Sequence, residues 1–250
     1  MLRKIAYITG WVLLGAYLVV TVAFTVHETA GITCREIAIN DDEDQVIRLS
    51  RAEVARMVRS VDKKLIGRKL DDIDTEAIEA HLAKNSTILK ADAYKLVVKD
   101  SVKYKGVVAV KVKYRKPVFR VLSSSGDFYM DESGHSFPVS INYSANVLVA
   151  SGNISKEMAR EELLPFVAFL EDDPFWKAQI AQVYVNGNGE LLLTPLVGDQ
   201  VIEFGPVDGY RKKLRNLRAF YEQVLVKNNW NKYERISVKY SNQVVAKKRK

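Results

Sequence analysis

The chain has 250 residues, of which 48% are hydrophobic, and it carries a formal net charge of +8. This length is enough for one or two domains with hydrophobic cores of their own. The single cysteine, Cys34, excludes a framework of internal disulfides.

The first segment of the chain is an uncharged run over residues 5–26. As a helix, such a run reaches about 33 Å, which is enough to cross the hydrocarbon core of a bilayer. It is longer than the apolar part of a secretory signal peptide, which favours an uncleaved anchor. Arg3 and Lys4 precede the run, and Arg35 is the next cation. The positive-inside rule therefore predicts a cytoplasmic stub at residues 1–4 and an extracytoplasmic chain after the span.

The predicted topology changes how the basic charge is interpreted. A basic protein often binds nucleic acid. An extracytoplasmic domain instead meets anionic lipid, wall polymer and acidic proteins, so we expect no nucleic-acid partner. The expected location is the inner (cytoplasmic) membrane, with a single span.

The residues after the span predict a β-α-α-β-β unit. A capping box at Ser50–Glu53 and a capping aspartate at Asp72 or Asp74 each begin a helix. Alternating apolar residues predict one strand before these helices and two after them, at residues 34–40, 88–98 and 107–114.

From Pro117 the pattern changes to short strands and tight turns. Two helices are predicted, one beginning near Ser155 and one amphipathic helix over residues 210–226. Glycine-containing turns at residues 131–134 and 186–189 predict hairpins. The predicted strands lie at residues 118–122, 128–130, 147–150, 180–185, 190–194, 201–204 and 235–246. The fold class is α+β: one transmembrane helix, the β-α-α-β-β unit, and a mixed β-rich domain with two helices.

The sequence lacks the patterns that carry catalysis or metal binding. His27, His81 and His135 are isolated and belong to no triad or metal-spaced cluster. No phosphate loop, zinc-protease helix or nucleophile elbow is present. We therefore expect no catalytic residue, no metal site and no cofactor.

The order of these elements resembles the FtsQ/DivIB family of bacterial cell-division proteins. The resemblance implies a POTRA domain over residues 32–114, a β-domain over residues 117–246 and a basic tail at residues 247–250. Four local matches in family order support it: residues 112–120 at the junction, the hairpin residues Asp131, Gly134 and Phe137, the helix over 210–226 and the closing strand over 236–240.

The chain departs from the family pattern in three places. Tyr114 stands where a glutamate is common, no arginine near residues 186–189 aligns with the family's partner-binding arginine, and the basic tail replaces an aromatic residue. We therefore expect a partner interface that differs in detail from that of the family.

The resemblance implies a non-enzymatic scaffold at the division septum that binds the FtsB/FtsL pair, with other septal proteins contacting the POTRA domain. The physical basis is β-strand addition, in which an exposed last strand offers unpaired N–H and C=O groups. We predict an exposed edge strand over residues 237–245, with Tyr240 as the anchor. The predicted partner-binding residues are Ser237, Val238, Lys239, Tyr240, Ser241, Asn242, Gln243 and Val244.

Two other functions fit the same elements. One is a POTRA-type chaperone or receptor for envelope protein assembly, which usually carries several POTRA units or a following barrel. The other is a wall-polymer-binding module or wall enzyme, which needs an aromatic or acidic cleft. Localisation of a fluorescent fusion at midcell would separate the scaffold from both.

Overall fold

The computed structural model describes residues 10–22, 31–41, 46–100, 103–124, 126–140, 144–227, 230–240 and 243–249. The chain forms two compact units. The first comprises Met1–Asp42 and Leu49–Lys113, and the second comprises Glu43–Arg48 and Tyr114–Lys250.

Residues 10–22 form the first helix, α1, and nearly all of its side chains are exposed. The rest of the predicted span, at residues 5–9 and 23–26, lies outside the described residues. Within the described part of the chain, no helix has both the length and the apolar character that a membrane crossing requires.

The first unit contains a three-stranded sheet in the order β1-β3-β2. Its outer strand β1 runs parallel to the central strand β3, and β2 and β3 are consecutive in the chain. The strands are β1 (Cys34–Asp41), β2 (Ile88–Asp100) and β3 (Lys103–Tyr114).

Two capped helices accompany this sheet, α2 (Arg51–Val61) and α3 (Thr75–Leu82). The predicted capping box is formed, because Ser50 Oγ accepts from the Glu53 N–H and the Glu53 carboxylate accepts from the Ser50 N–H. Hydrogen bonds from the Ser50 hydroxyl and then from its backbone hold the pKa of Glu53 below its usual value. Asp74, and not Asp72, caps α3.

The second unit contains a nine-stranded mixed sheet in the order β12-β11-β10-β9-β8-β7-β4-β5-β6. The pairs β4–β7, β7–β8 and β10–β11 are parallel, and the other five pairs are antiparallel. The strands are β4 (Pro117–Ser123), β5 (Phe128–Asp131), β6 (Ser136–Pro138), β7 (Leu148–Gly152), β8 (Ile180–Val185), β9 (Leu191–Pro195), β10 (Val201–Gly205), β11 (Tyr233–Ser237) and β12 (Val245–Lys248).

The helical regions of this unit are interrupted, and they form more segments than the two helices that the sequence predicted. Pro165 lacks the N–H that a regular helix needs, and a π-helical turn directly precedes the segment that contains it. Asp173 then caps a short further helix that the sequence analysis missed. The segments are α4 (Lys156–Met158), the π turn Ala159–Leu163, α5 (Leu164–Asp172), α6 (Pro174–Lys177), and α7 (Tyr210–Phe220) with the π turn Tyr221–Leu225.

Helices α5 and α7 and the sheet share one hydrophobic core. The amphipathic pattern of α7 and the π turn after it is confirmed, since Leu214, Leu217, Tyr221 and Leu225 are at most 1% exposed. Phe166 of α5 lies against Phe204 of β10, with ring centroids 5.2 Å apart. The helices therefore hold the C-terminal strands of the sheet in place.

A smaller hydrophobic cluster explains why Ile47 belongs to the second unit. Ile47 is 3% exposed and packs with Tyr129 of β5 and Phe137 of β6. The two rings stack with centroids 5.6 Å apart. A segment that lies between β1 and α2 in the chain thus completes the core of the second unit.

Candidate partner-binding edge

The C-terminal end of the sheet is a hairpin, and not the single strand that the sequence predicted. Strand β11 is an inner strand, since it runs parallel to β10 and antiparallel to β12. Ser237 at the end of β11 lies opposite Val245 at the start of β12. The predictions of one strand over residues 235–246 and of an edge strand over residues 237–245 are therefore wrong.

The break between the two strands has a physical cause. Val238 is 1% exposed, and its N–H donates to the carbonyl of Glu203 at 3.0 Å, which ties it to β10. Lys239 then forms an ion pair with Glu190, which follows the turn between β8 and β9. The hydrogen bond to Glu190 raises the pKa of Lys239, and the same bond lowers the pKa of Glu190. These contacts direct the chain away from the ladder before it returns as β12.

A glycine provides the space in which the chain leaves β11. Gly205, at the end of β10, has a φ of +74°, which favours glycine. A Cβ at this position would lie only 2.8 Å from Cγ of Lys239. The close approach of Lys239 to β10 therefore requires glycine at position 205.

Strand β12 is the exposed edge of the sheet among the described residues. The N–H of Arg249 donates to the carbonyl of Lys232 at 2.9 Å, so Arg249 faces β11. Successive residues of a strand direct their backbone groups to opposite sides. The irregularity in this pairing lies between Tyr233 and Arg235 of β11, which leaves β12 regular. The N–H and C=O groups of Ala246 and Lys248 consequently point toward the open side.

The opposite edge of the sheet is a poorer template for a further strand. Strand β6 has three residues and ends in Pro138, which has no N–H to donate. Short strands and proline are common ways to protect a sheet edge. Of the two edges, β12 is better suited to accept another strand.

The side chains along β12 are apolar and basic. Val245 is 49% exposed, and Tyr240 in the preceding loop is 57% exposed. The cations along this end of the sheet form ion pairs at their own surface: Arg235 with Glu203 at 2.6 Å, Lys247 with Glu234 at 3.2 Å, and Arg249 with Asp199 at 3.3 Å. The Glu203 carboxylate raises the pKa of Arg235, first through its hydrogen bond and then through its charge.

The structure places the predicted site residues in different environments, some buried and some exposed. Ser237 and Val238 are core residues, at 7% and 1% exposed. Lys239 is held by Glu190, and Val244 is half-buried against the core. Tyr240 and Gln243 are exposed. Ser241 and Asn242 lie outside the described residues. The role of these residues in partner binding stays a prediction.

The sequence predicted only the first part of β12, since the strand predicted over residues 235–246 included Val245 and Ala246. Residues 247–250 were expected to be a basic tail, but Lys247 and Lys248 belong to the strand. Lysines are common on exposed edges because their charge discourages unwanted pairing. Lys247 and Lys248 are both exposed, and two consecutive lysines give no alternation of apolar and polar residues that would indicate a strand.

In the described parts of the chain, no three His, Cys, Asp or Glu side chains are grouped so that they could hold a metal ion. The carboxylates near β12 are instead engaged with lysine and arginine. This arrangement is suited to recognition by backbone pairing and surface charge.

Two family models match the chain. Residues 116–247 match the model described as FtsQ/DivIB, C-terminal related, and residues 32–105 match the model of a POTRA-like domain. No curated protein matches the chain significantly. The first match includes β4 to β11 and most of β12, and it covers more than half of the sequence. Both models describe non-catalytic, scaffold-type domains. The chain belongs to the FtsQ/DivIB family of cell-division proteins.

Proposed function

We propose that the chain is a single-pass scaffold of the division septum that binds an FtsB/FtsL-like partner by β-strand addition. Family membership supports a scaffold role in cell division with other division proteins as partners. The single observation that carries the finer proposal is the open backbone edge at Ala246 and Lys248.

The anchor is residues 5–26, in the inner membrane, with the chain after it outside the cytoplasm. The uncharged run and the preceding Arg3 and Lys4 support this topology. The exposure of α1 supports it further, since Trp11 and Val19 are each 69% exposed. Apolar side chains exposed around a helix are stabilised by hydrocarbon, which the bilayer supplies.

The partner contributes a strand that pairs with β12. Such a strand would satisfy the open N–H and C=O groups of Ala246 and Lys248 and extend the sheet. Val245 and Tyr240 offer apolar contact area, and the exposed Lys248 of β12 favours a partner with acidic side chains. Other septal membrane proteins contact the POTRA-like unit.

A truncation tests the partner proposal directly. The full chain and a version ending at Val244 are co-expressed with an FtsB/FtsL pair and purified from detergent-solubilised membranes. We expect the pair to co-purify with the full chain and to be lost from the truncated one. Recovery of the pair with both versions would contradict strand addition at β12.

A fusion experiment tests the topology and the location. A C-terminal alkaline-phosphatase fusion should be active, and a fluorescent fusion should concentrate at midcell. An inactive phosphatase, or a mature protein that begins near Ile32, would contradict the anchor. Uniform distribution around the envelope would favour a chaperone or wall-binding role.

A further inference from the structure

Strand β2 extends beyond the part of the first unit that has a core. Near its start, Ile88 and Ala91 are buried, at 2% and 8% exposed. The six consecutive residues from Tyr94 to Lys99 are all exposed. The neighbouring strand β3 shows the same change, since Tyr104 is 46% exposed while Gly106 is buried. The end of the β2–β3 hairpin, defined as residues 94–99 with Tyr104, thus projects from the unit.

This hairpin end exposes apolar side chains on both faces, and two lysines share one of these faces with Val97. Tyr94, Leu96 and Val98 lie on one face of the strand by alternation and are 41%, 41% and 40% exposed. Val97, at 46% exposed, lies on the other face between Lys95 and Lys99. A protein partner that docks on one face of a ribbon covers half of these side chains. Immersion of the hairpin end in an apolar medium covers all of them.

The strand topology places this hairpin end beside the start of the folded unit. Because β1 and β3 are parallel, Cys34 at the start of β1 pairs with Gly106. The Gly106 N–H donates to the carbonyl of Thr33 at 3.1 Å, and Lys105 Nζ lies 2.9 Å from Glu36. The chain therefore enters the unit two residues away from Tyr104.

The lengths of the chain segments between the proposed anchor and the first unit allow the hairpin end to reach the membrane. Seven residues, 27–33, separate the proposed anchor from Cys34, and an extended chain of that length spans at most about 25 Å. The first residues of β3, from Lys103 to Gly106, extend about 10 Å beyond the start of β1, on the side from which the chain enters. The hairpin end thus projects at the end of the sheet where the chain arrives from the anchor.

We propose that the end of the β2–β3 hairpin inserts into the interfacial region of an anionic bilayer and fixes the orientation of the first unit on the membrane. This inference rests on the proposed anchor at residues 5–26. Tyrosine rings prefer the boundary between headgroups and hydrocarbon. Lysines next to apolar residues extend their ammonium groups toward anionic headgroups while their stems stay in apolar surroundings. Lys99 is exposed, and Lys95 additionally donates to the carbonyl of Asp71 at 3.0 Å.

The test uses the full chain in proteoliposomes with an environment-sensitive fluorophore on a new cysteine. Val97→Cys carries the probe at the hairpin end. Lys111→Cys is the matched control. Lys111 is exposed on β3, but it lies five residues after Gly106, away from the hairpin end. The native Cys34 is fully buried, and the parent chain gives the background labelling. One set of vesicles contains phosphatidylglycerol with phosphatidylethanolamine, and the other contains phosphatidylcholine alone.

We expect the probe at position 97 to shift to the blue in the anionic vesicles and to be quenched by nitroxide-labelled lipid. The probe at position 111 should keep its aqueous emission. Lys99→Glu in the Val97→Cys chain should reduce the shift in the anionic vesicles. Equal aqueous emission at both positions would overturn the proposal, as would a shift at position 97 that depends on an added protein and not on lipid.

Flotation of the same vesicles separates this inference from the proposed anchor. A chain that fails to float with the vesicles contradicts the anchor and the inference together. A chain that floats, with a water-exposed probe at position 97, overturns the inference alone.

Discussion

Arg115 and Asp131 form a partly buried ion pair in which Nη1 of the arginine lies 2.6 Å from Oδ2 of the carboxylate. The other oxygen, Oδ1, accepts from the N–H groups of Ser133 at 3.0 Å and His135 at 2.8 Å. One carboxylate thus joins the segment just before β4 to the turn between β5 and β6. Gly134 completes this turn with a φ of +78°, and a Cβ at this position would lie only 2.7 Å from Cγ of Arg160.

Replacing this carboxylate should strongly destabilise the second unit. Asp131→Ala removes the carboxylate that pairs with the Arg115 side chain, which is 16% exposed, and removes the oxygen that accepts two N–H groups of the turn. Breaking a buried ion pair by removing one member costs about 3–5 kcal/mol. Denaturant unfolding of the full chain in detergent should show a lower midpoint. Asp127→Ala is the control, because Asp127 is half exposed and pairs with Arg120 at 3.6 Å, a surface contact worth about 0–1 kcal/mol. Equal midpoints for the two variants would contradict the structural role of Asp131.

Proline on β12 should abolish partner capture without unfolding the protein. Ala246→Pro and Lys248→Pro each remove one N–H that points to the open side, while the bonds from β12 to β11 remain. We expect loss of the FtsB/FtsL-like partner in a pull-down and an unchanged melting temperature. Ala246→Ser and Lys248→Ala keep the backbone donors and should retain the partner. Capture by both proline variants would place the interface elsewhere.

Tyr240 should anchor the partner next to this edge. An exposed aromatic ring buries a large area at low entropic cost, and truncating such a hot spot weakens binding by about 2 kcal/mol or more. Tyr240→Ala should therefore reduce affinity for the partner in a titration while the melting temperature stays the same. Tyr184→Ala removes an exposed tyrosine from β8 and should leave affinity unchanged. A fall in melting temperature for Tyr240→Ala would indicate that the ring serves packing.

The local parts of the fold could be predicted because their signals are local. The capping box at Ser50 and the amphipathic stripe from Leu214 to Leu225 depend on neighbours three or four residues away. The split between β11 and β12 depends on Glu203 and Glu190, which lie far from Val238 and Lys239 in the chain. Single-strand periodicity contains no information about such partners, and so the edge was assigned to the wrong residues.

Ile47 should contribute to the stability of the second unit although it lies between two elements of the first. Ile47→Ala removes a side chain that is 3% exposed and packs on Tyr129 and Phe137. Large-to-small changes of this kind cost about 2–5 kcal/mol in a well-packed site. Denaturant unfolding should show this loss. Val46→Ala provides an adjacent control, since Val46 is 55% exposed and should change stability by less than about 0.5 kcal/mol. Equal stability of the two variants would mean that Ile47 does not complete this core.

Tyr221 should make the second unit sensitive to alkaline pH. Its side chain is 1% exposed and lies in an aromatic cluster with Phe175, Trp176 and Trp230, at centroid distances of 5.8, 6.0 and 5.8 Å. Burial raises the pKa of Tyr221 from 10.0 to about 12. Because the folded pKa lies above the unfolded one, the stabilisation is complete below pH 10 and is lost as pH rises toward 12.

Tyr221→Phe isolates this effect because phenylalanine keeps the ring contacts and removes the titrating hydroxyl. A shift of two pKa units corresponds to about 3 kcal/mol, so the variant should lose that much less stability than the parent chain as pH rises through this window. Denaturant unfolding at several alkaline pH values measures the difference. Tyr94→Phe removes an exposed hydroxyl from β2 and should keep the parental pH dependence. If the Tyr221→Phe variant and the parent chain lose stability in parallel, the alkaline sensitivity arises from lysines and arginines and not from the buried phenol.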